Sequence, residues 1–103
     1  MTTTLHVVTE APGPGWEPGV DRREQAGWDA HAAFMDGLVA RGVVILAGPL
    51  GEGTEVLLVV RAGSVEDVRS AFADDPWLQT AEPVLELAAI RPWEIWLDGV
   101  SLG

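Results

Sequence analysis

The sequence predicts an α+β fold, a single antiparallel sheet with two helices packed on one face, and three observations carry that prediction. Short apolar runs of strand length alternate with two stretches of helical period, in the order strand, helix, strand, strand, helix, strand. The two middle runs are joined by a glycine-rich turn too short for a crossover, so they read as a hairpin. With 103 residues, 48% of them hydrophobic and 21% charged, the chain has material for one globular core and not for two. One domain over residues 1–103 is expected, with residues 98–103 as a tail carrying no signal of its own.

Leu5 to Val8 is a short apolar strand. The segment Ala11-Pro12-Gly13-Pro14-Gly15-Trp16-Glu17-Pro18-Gly19 is interrupted by proline and glycine too often for helix or central strand, so it reads as a loop, either a connector or a lid carrying Trp16. From Glu24 to Arg41 the period becomes helical, with Trp28, His31, Phe34, Met35 and Leu38 on one face and Gln25, Asp29 and Asp36 on the other. Gly42 supplies the stop. Val43 to Ala47 and Val56 to Val60 form the hairpin around Gly51-Glu52-Gly53. Ser64 is a good N-cap with Asp67 three residues on, opening a helix whose inner face is Val65, Val68 and Phe72. Pro76 ends that helix near Asp75. Val84 to Ile90 is the last core strand, and alternation over Trp93 to Leu97 suggests an extra edge strand.

This order is the split unit of a ferredoxin-like fold, βαββαβ. The hairpin strands lack the polar alternation of a half-solvated strand, so both faces of the sheet should be covered. Two helices cover only one. A second copy of the same sheet is the economical cover for the other, which predicts a homodimer with two sheets face to face.

Sixteen acids stand against six bases, all arginine, for a formal net charge of -10. Without a basic stripe, nucleic acid is a poor partner, and the same field disfavours anionic membrane surfaces. No apolar stretch approaches the ~20 residues of a membrane helix, and no basic region precedes a long apolar run at the N-terminus. A soluble cytoplasmic protein is expected. The absence of cysteine and lysine excludes thiol chemistry and Schiff bases, and Gly51-Glu52-Gly53 lacks the lysine of a phosphate loop.

Two histidines remain. His31 points along the inward face of its helix and is either a core residue bonded to a carbonyl or the centre of a site. No residue one turn away on that helix is an acid, so a partner must come from elsewhere. Asp75 follows Phe72 by three and Val68 by seven, which turns it inward and Asp74 outward. An inward His31 and Asp75 at the same depth would form a dyad in which the carboxylate fixes the imidazole tautomer for acid/base work. His6 alternates with Leu5 and Val7 on the first strand, and its face is open. No metal-ligand spacing is present, so neither a metal nor another cofactor is expected. Trp28, one turn before His31, could wall a pocket that accepts an aromatic ring.

Arg23-Glu24-Gln25 leading to His31, then Gly48-Pro49-Leu50, Asp75-Pro76-Trp77 and Ile90-Arg91-Pro92-Trp93 resemble, in that order along most of the chain, the YCII-related proteins. The resemblance implies a ferredoxin-like subunit of a dimeric α/β barrel, with a site built on His31 and Asp75 and with Gly48 and Pro49 in the turn beside it. It also implies proton transfer on a small organic molecule, since one branch of that family resembles dehydrochlorinases of chlorinated hydroxyquinols. The insertion from Ala11 to Gly19 is longer than in compact members of the family. The expectation is a lyase- or isomerase-like enzyme with His31 and Asp75 catalytic and Trp28, Gly48, Pro49 and His6 against the substrate. The alternatives are a small-molecule-binding or accessory dimer without chemistry, and a purely structural dimer.

Overall fold

In the computed structural model, which describes residues 3–102, the chain runs β1 (Thr3–Pro12), α1 (Trp28–Ala40), β2 (Val44–Pro49), β3 (Val56–Val60), α2 (Val65–Phe72) and β4 (Leu85–Ile95). Met1, Thr2 and Gly103, counted in the expected domain, lie outside the described residues. The sheet has the order β2-β3-β1-β4 with every pair antiparallel, the ferredoxin-like βαββαβ arrangement. Both helices lie on one face. Leu38 of α1 and Val68 and Phe72 of α2 share a core with Val8, Val44, Leu58 and Val60 of the sheet.

Alternation along β1 decides what reaches that core. His6, Val8 and Glu10 turn toward the helices, opposite Val60, Leu58 and Val56 of β3, while Leu5 turns to the other face and joins Val59 and Ile95. The strand is longer than its apolar run. It continues to Pro12, but β3 pairs only as far as Glu10, so Ala11 and Pro12 have β4 as their one neighbour and the missing proline N–H costs the sheet little. Gly13 and Gly15 extend the pairing, donating to Val84 and Pro83 carbonyls at 2.9 Å each. A Cβ at either glycine would collide with the Pro83 or Glu82 carbonyl oxygen, which explains the Gly-Pro-Gly spacing.

β1 thus takes Ala11 and Pro12 from the expected loop, β2 runs through Gly48 and Pro49, which were expected in a turn, and three further boundaries differ from the sequence reading. The first helix starts at Trp28, not Glu24: Arg22–Glu24 form a separate 3₁₀ turn, and Gly27 breaks the path with φ +81°. Gln25 is correspondingly buried rather than on an outer face. Its Oε1 accepts from the Glu17 N–H at 2.9 Å, and its Nε2 donates to the Glu17 and Val20 carbonyls at 2.9 Å each. The expected extra strand over Trp93 to Leu97 is not separate, because β4 runs unbroken through Pro92 and pairs with β1 along its length. Proline is tolerated there because β4 is an edge strand. The second helix begins as read, with Ser64 Oγ accepting from the Asp67 N–H at 3.1 Å, but ends at Phe72, three residues before Asp75.

The sheet face away from the helices is largely apolar. Leu5, Val59 and Ile95 are covered there by Ile45 and by Leu102, whose carbonyl accepts from Arg61 Nη2 at 2.9 Å. Leu46 and Trp93, paired with Val59 and Leu5, stay 63% and 47% exposed on the same face. Among the described residues no helix is long and apolar enough to cross a membrane.

Candidate active site

Two helix ends meet at the site. His31 sits one turn into α1, its N–H bonded to the Gly27 carbonyl, so the left-handed glycine that starts the helix also sets the depth of the imidazole. After α2 the chain keeps turning, with the Asp75 N–H on the Phe72 carbonyl at 3.1 Å. That continuation turns Asp75 fully inward and leaves Asp74 exposed, the arrangement the period predicted.

His31 Nδ1 lies 2.9 Å from Asp75 Oδ1 and 3.0 Å from Oδ2. Oδ1 also accepts from the Trp77 backbone N–H at 3.0 Å. A carboxylate only accepts, so the proton of the neutral ring belongs on Nδ1 and the lone pair on Nε2. The ring is held a second way. Trp77 stacks on it with centroids 4.1 Å apart and planes 8° from parallel, and Trp28 tilts against both rings at 5.8 and 5.7 Å. The Trp77 indole N–H donates to the Ala26 carbonyl at 2.8 Å, tying the segment after α2 to the segment before α1. Trp77 is thus part of the site, although sequence reasoning noted it only as the end of an Asp-Pro-Trp motif.

His31 opens on a cavity of about 380 Å³ between α1 and the sheet. Its apolar walls include Trp28 and Met35 of α1, Ala47 of β2 and Val56 and Leu58 of β3, and Gly48 and Pro49 line it as well. Trp28, Gly48 and Pro49, expected against a substrate, are thus brought together with His31 around one cavity. His6 does not line this cavity. It is buried on the helix side of β1, opposite Val60 and Pro92 and four residues from the cavity wall, with Nδ1 lacking a hydrogen-bond partner among the described residues.

The same wall contains a residue that sequence reasoning missed. Glu10 is only 2% exposed, and its Oε2 is buried without a hydrogen-bond partner among the described residues. Burial, reinforced by the negative charge of Asp75, pushes its carboxyl up from 4.5 to about 7, against the opposing pull of His31 and Arg22. A buried acid titrating near neutrality beside a histidine is a frequent mark of a functional site. The available signal was its register: Glu10 is two and four residues from Val8 and His6, on one face of a strand.

A second cavity of about 450 Å³ adjoins the first and shares Arg22, Trp28 and Pro49 with it. Trp16, from the proline- and glycine-rich loop, lines this outer space and lies under the Arg22 guanidinium, 5.2 Å from its carbon to the ring centre. Comparison with protein-family models, curated proteins and solved structures returns no match. The site must therefore be read from its own chemistry. It offers an oriented imidazole, a carboxyl poised near neutrality and apolar walls; among the described residues no three histidine or acidic side chains converge to hold a metal ion.

Proposed function

We propose that this protein is a homodimeric, YCII-like enzyme of the lyase or isomerase type, moving protons on a small, largely apolar organic molecule. The observation that carries this reading is the clasp on His31. A histidine that merely fills a core needs one carbonyl for one ring nitrogen. Here a buried carboxylate takes Nδ1 with both oxygens, an indole packs on the ring face, and the ring lines a cavity.

In the proposed reaction His31 Nε2 takes a proton from a carbon or hydroxyl of the bound molecule, and the adjacent Asp75 carboxylate stabilises the imidazolium that forms. Glu10, neutral over much of the range below pH 7, donates a proton to the oxygen or leaving group on which charge develops. A base on α1 and an acid on β1 that line one cavity suit elimination or a proton shift between neighbouring atoms. The apolar lining keeps water from competing for the same protons. A second copy of the chain covers the open sheet face, where Leu46 and Trp93 are exposed.

Imidazole 15N shifts test the first step. The unaltered protein should show neutral His31 as the Nδ1–H tautomer, and Asp75→Asn should move it toward Nε2–H, because an amide can donate to Nδ1. An unchanged tautomer would remove Asp75 from the orienting role. In a screen of small organic substrates, His31→Ala should lower any activity by about 10²–10⁴-fold. An activity untouched by that substitution would exclude His31 as the base.

A further inference from the structure

We infer that Arg22 anchors an anionic group, so that the ligand of the His31 cavity is a small organic acid whose apolar or aromatic body lies against Trp28 and Met35. The inference rests on the proton-transfer reading for its location and adds the ligand's charge. Arg22 stands at the junction of the two adjoining cavities and lines both. Its guanidinium is half-buried, and among the described residues it forms no ion pair. Burial accordingly draws its pKa below the ordinary arginine value, while Glu10 and Asp21 pull the other way. A guanidinium remains charged in any protein, so a partly desolvated positive charge is left with no carboxylate in direct contact among the described residues, Glu10 and Asp21 acting on it only at longer range.

The guanidinium is also held in place. Nη2 donates to the Thr54 carbonyl at 3.0 Å and Trp16 supports one face, which among the described residues commits one of five N–H donors and leaves the others for a ligand. A carboxylate matches that fork with two parallel hydrogen bonds. A cationic ligand would meet Arg22 directly. The inner wall offers a cation little in return, because Glu10 is largely neutral below pH 7 and Asp36 is exposed. With net charge -10 on the chain, Arg22 is a local exception that favours an anion at this one place.

Binding of benzoate, benzamide and benzylamine, three probes with the same ring and different charge, tests the inference. Affinity is read from NMR shifts of the Trp28 indole N–H on the unaltered protein and on Arg22→Gln and Arg22→Lys. Benzoate should bind at least about tenfold more tightly than benzamide, as charge-assisted contacts exceed neutral ones, and benzylamine should bind least. Arg22→Gln should abolish the difference between benzoate and benzamide. Arg22→Lys should keep part of it, because charge survives without the fork. Equal affinities, no benzoate binding at millimolar concentration, or a preference that survives Arg22→Gln would overturn the inference. If Arg22→Gln fails to fold, the probe comparison on the unaltered protein still decides. The His31 tautomer, measured separately, distinguishes failure here from failure of the proton-transfer reading.

Discussion

Replacing Glu10 by glutamine should change how stability depends on pH, and the size of the change follows from where Glu10 sits. Its carboxyl titrates near 4.5 in the unfolded chain and near 7 in the fold, because burial and the Asp75 charge disfavour its ionised form. Between those values the folded state holds a proton that the unfolded state has released. Folding stability therefore falls as pH rises from 4.5 to about 7, with no further contribution from Glu10 below or above that window. At about 1.4 kcal/mol per pH unit, the loss is on the order of 3 kcal/mol. Glutamine is nearly the same shape and never ionises. Urea unfolding of both proteins at matched concentration, from about pH 4.5 to about pH 8, should show the Glu10→Gln protein gaining on the unaltered one by that amount. In a domain of about this size each kcal/mol moves Tm by roughly 4–8 °C, so the difference is easily resolved. Unfolding curves that keep a constant separation across the range would refute the raised carboxyl and, with it, the acid assigned to Glu10.

Three further outcomes follow from the geometry. Gln25→Ala removes three hydrogen bonds that close the loop from Glu17 to Gln25; stability should drop by about 1–3 kcal/mol, with hydrogen exchange in that loop rising more than in the sheet. Trp77→Phe keeps a ring over His31 but loses the indole bond to Ala26. It should cost about 1 kcal/mol with little change in the His31 15N shifts, and a lost tautomer would show that the indole bond, not the stack, positions the imidazole. Leu46→Asp puts a charge on the exposed part of the open sheet face; sedimentation should show a dimer for the unaltered protein and a monomer for the variant, and a stable micromolar monomer in both would contradict the two-faced sheet.

Local signals were legible and tertiary ones were not. Ser64 announced α2 because its cap closes within three residues of chain, and Asp75 was separated from Asp74 by period alone. The start of α1 was misread because Gln25 is tied by hydrogen bonds to Glu17 and Val20, partners that no helical period reveals, and Gly27 takes a left-handed turn. Val84 to Ile90 and Trp93 to Leu97 read as two strands, yet β4 runs through Pro92, which lies on an edge whose outer side needs no ladder. Glu10 was hidden because it lies beyond the apolar run Leu5 to Val8 that marks the strand; pairing with β3 and β4 extends β1 past it and keeps it on the face of His6 and Val8.

The His31–Asp75 bond joins the two βαβ halves of the chain. His31 belongs to the first half, β1-α1-β2, and Asp75 follows the helix of the second, β3-α2-β4, while β1 is threaded between both strands of that second half. The exposed hairpin from Gly51 to Thr54 is the only covalent link between them. Cutting the chain there would yield two fragments of similar length, neither with a site. Their reassembly would be reported by the imidazole itself, since Nδ1 finds its carboxylate only when the halves interleave.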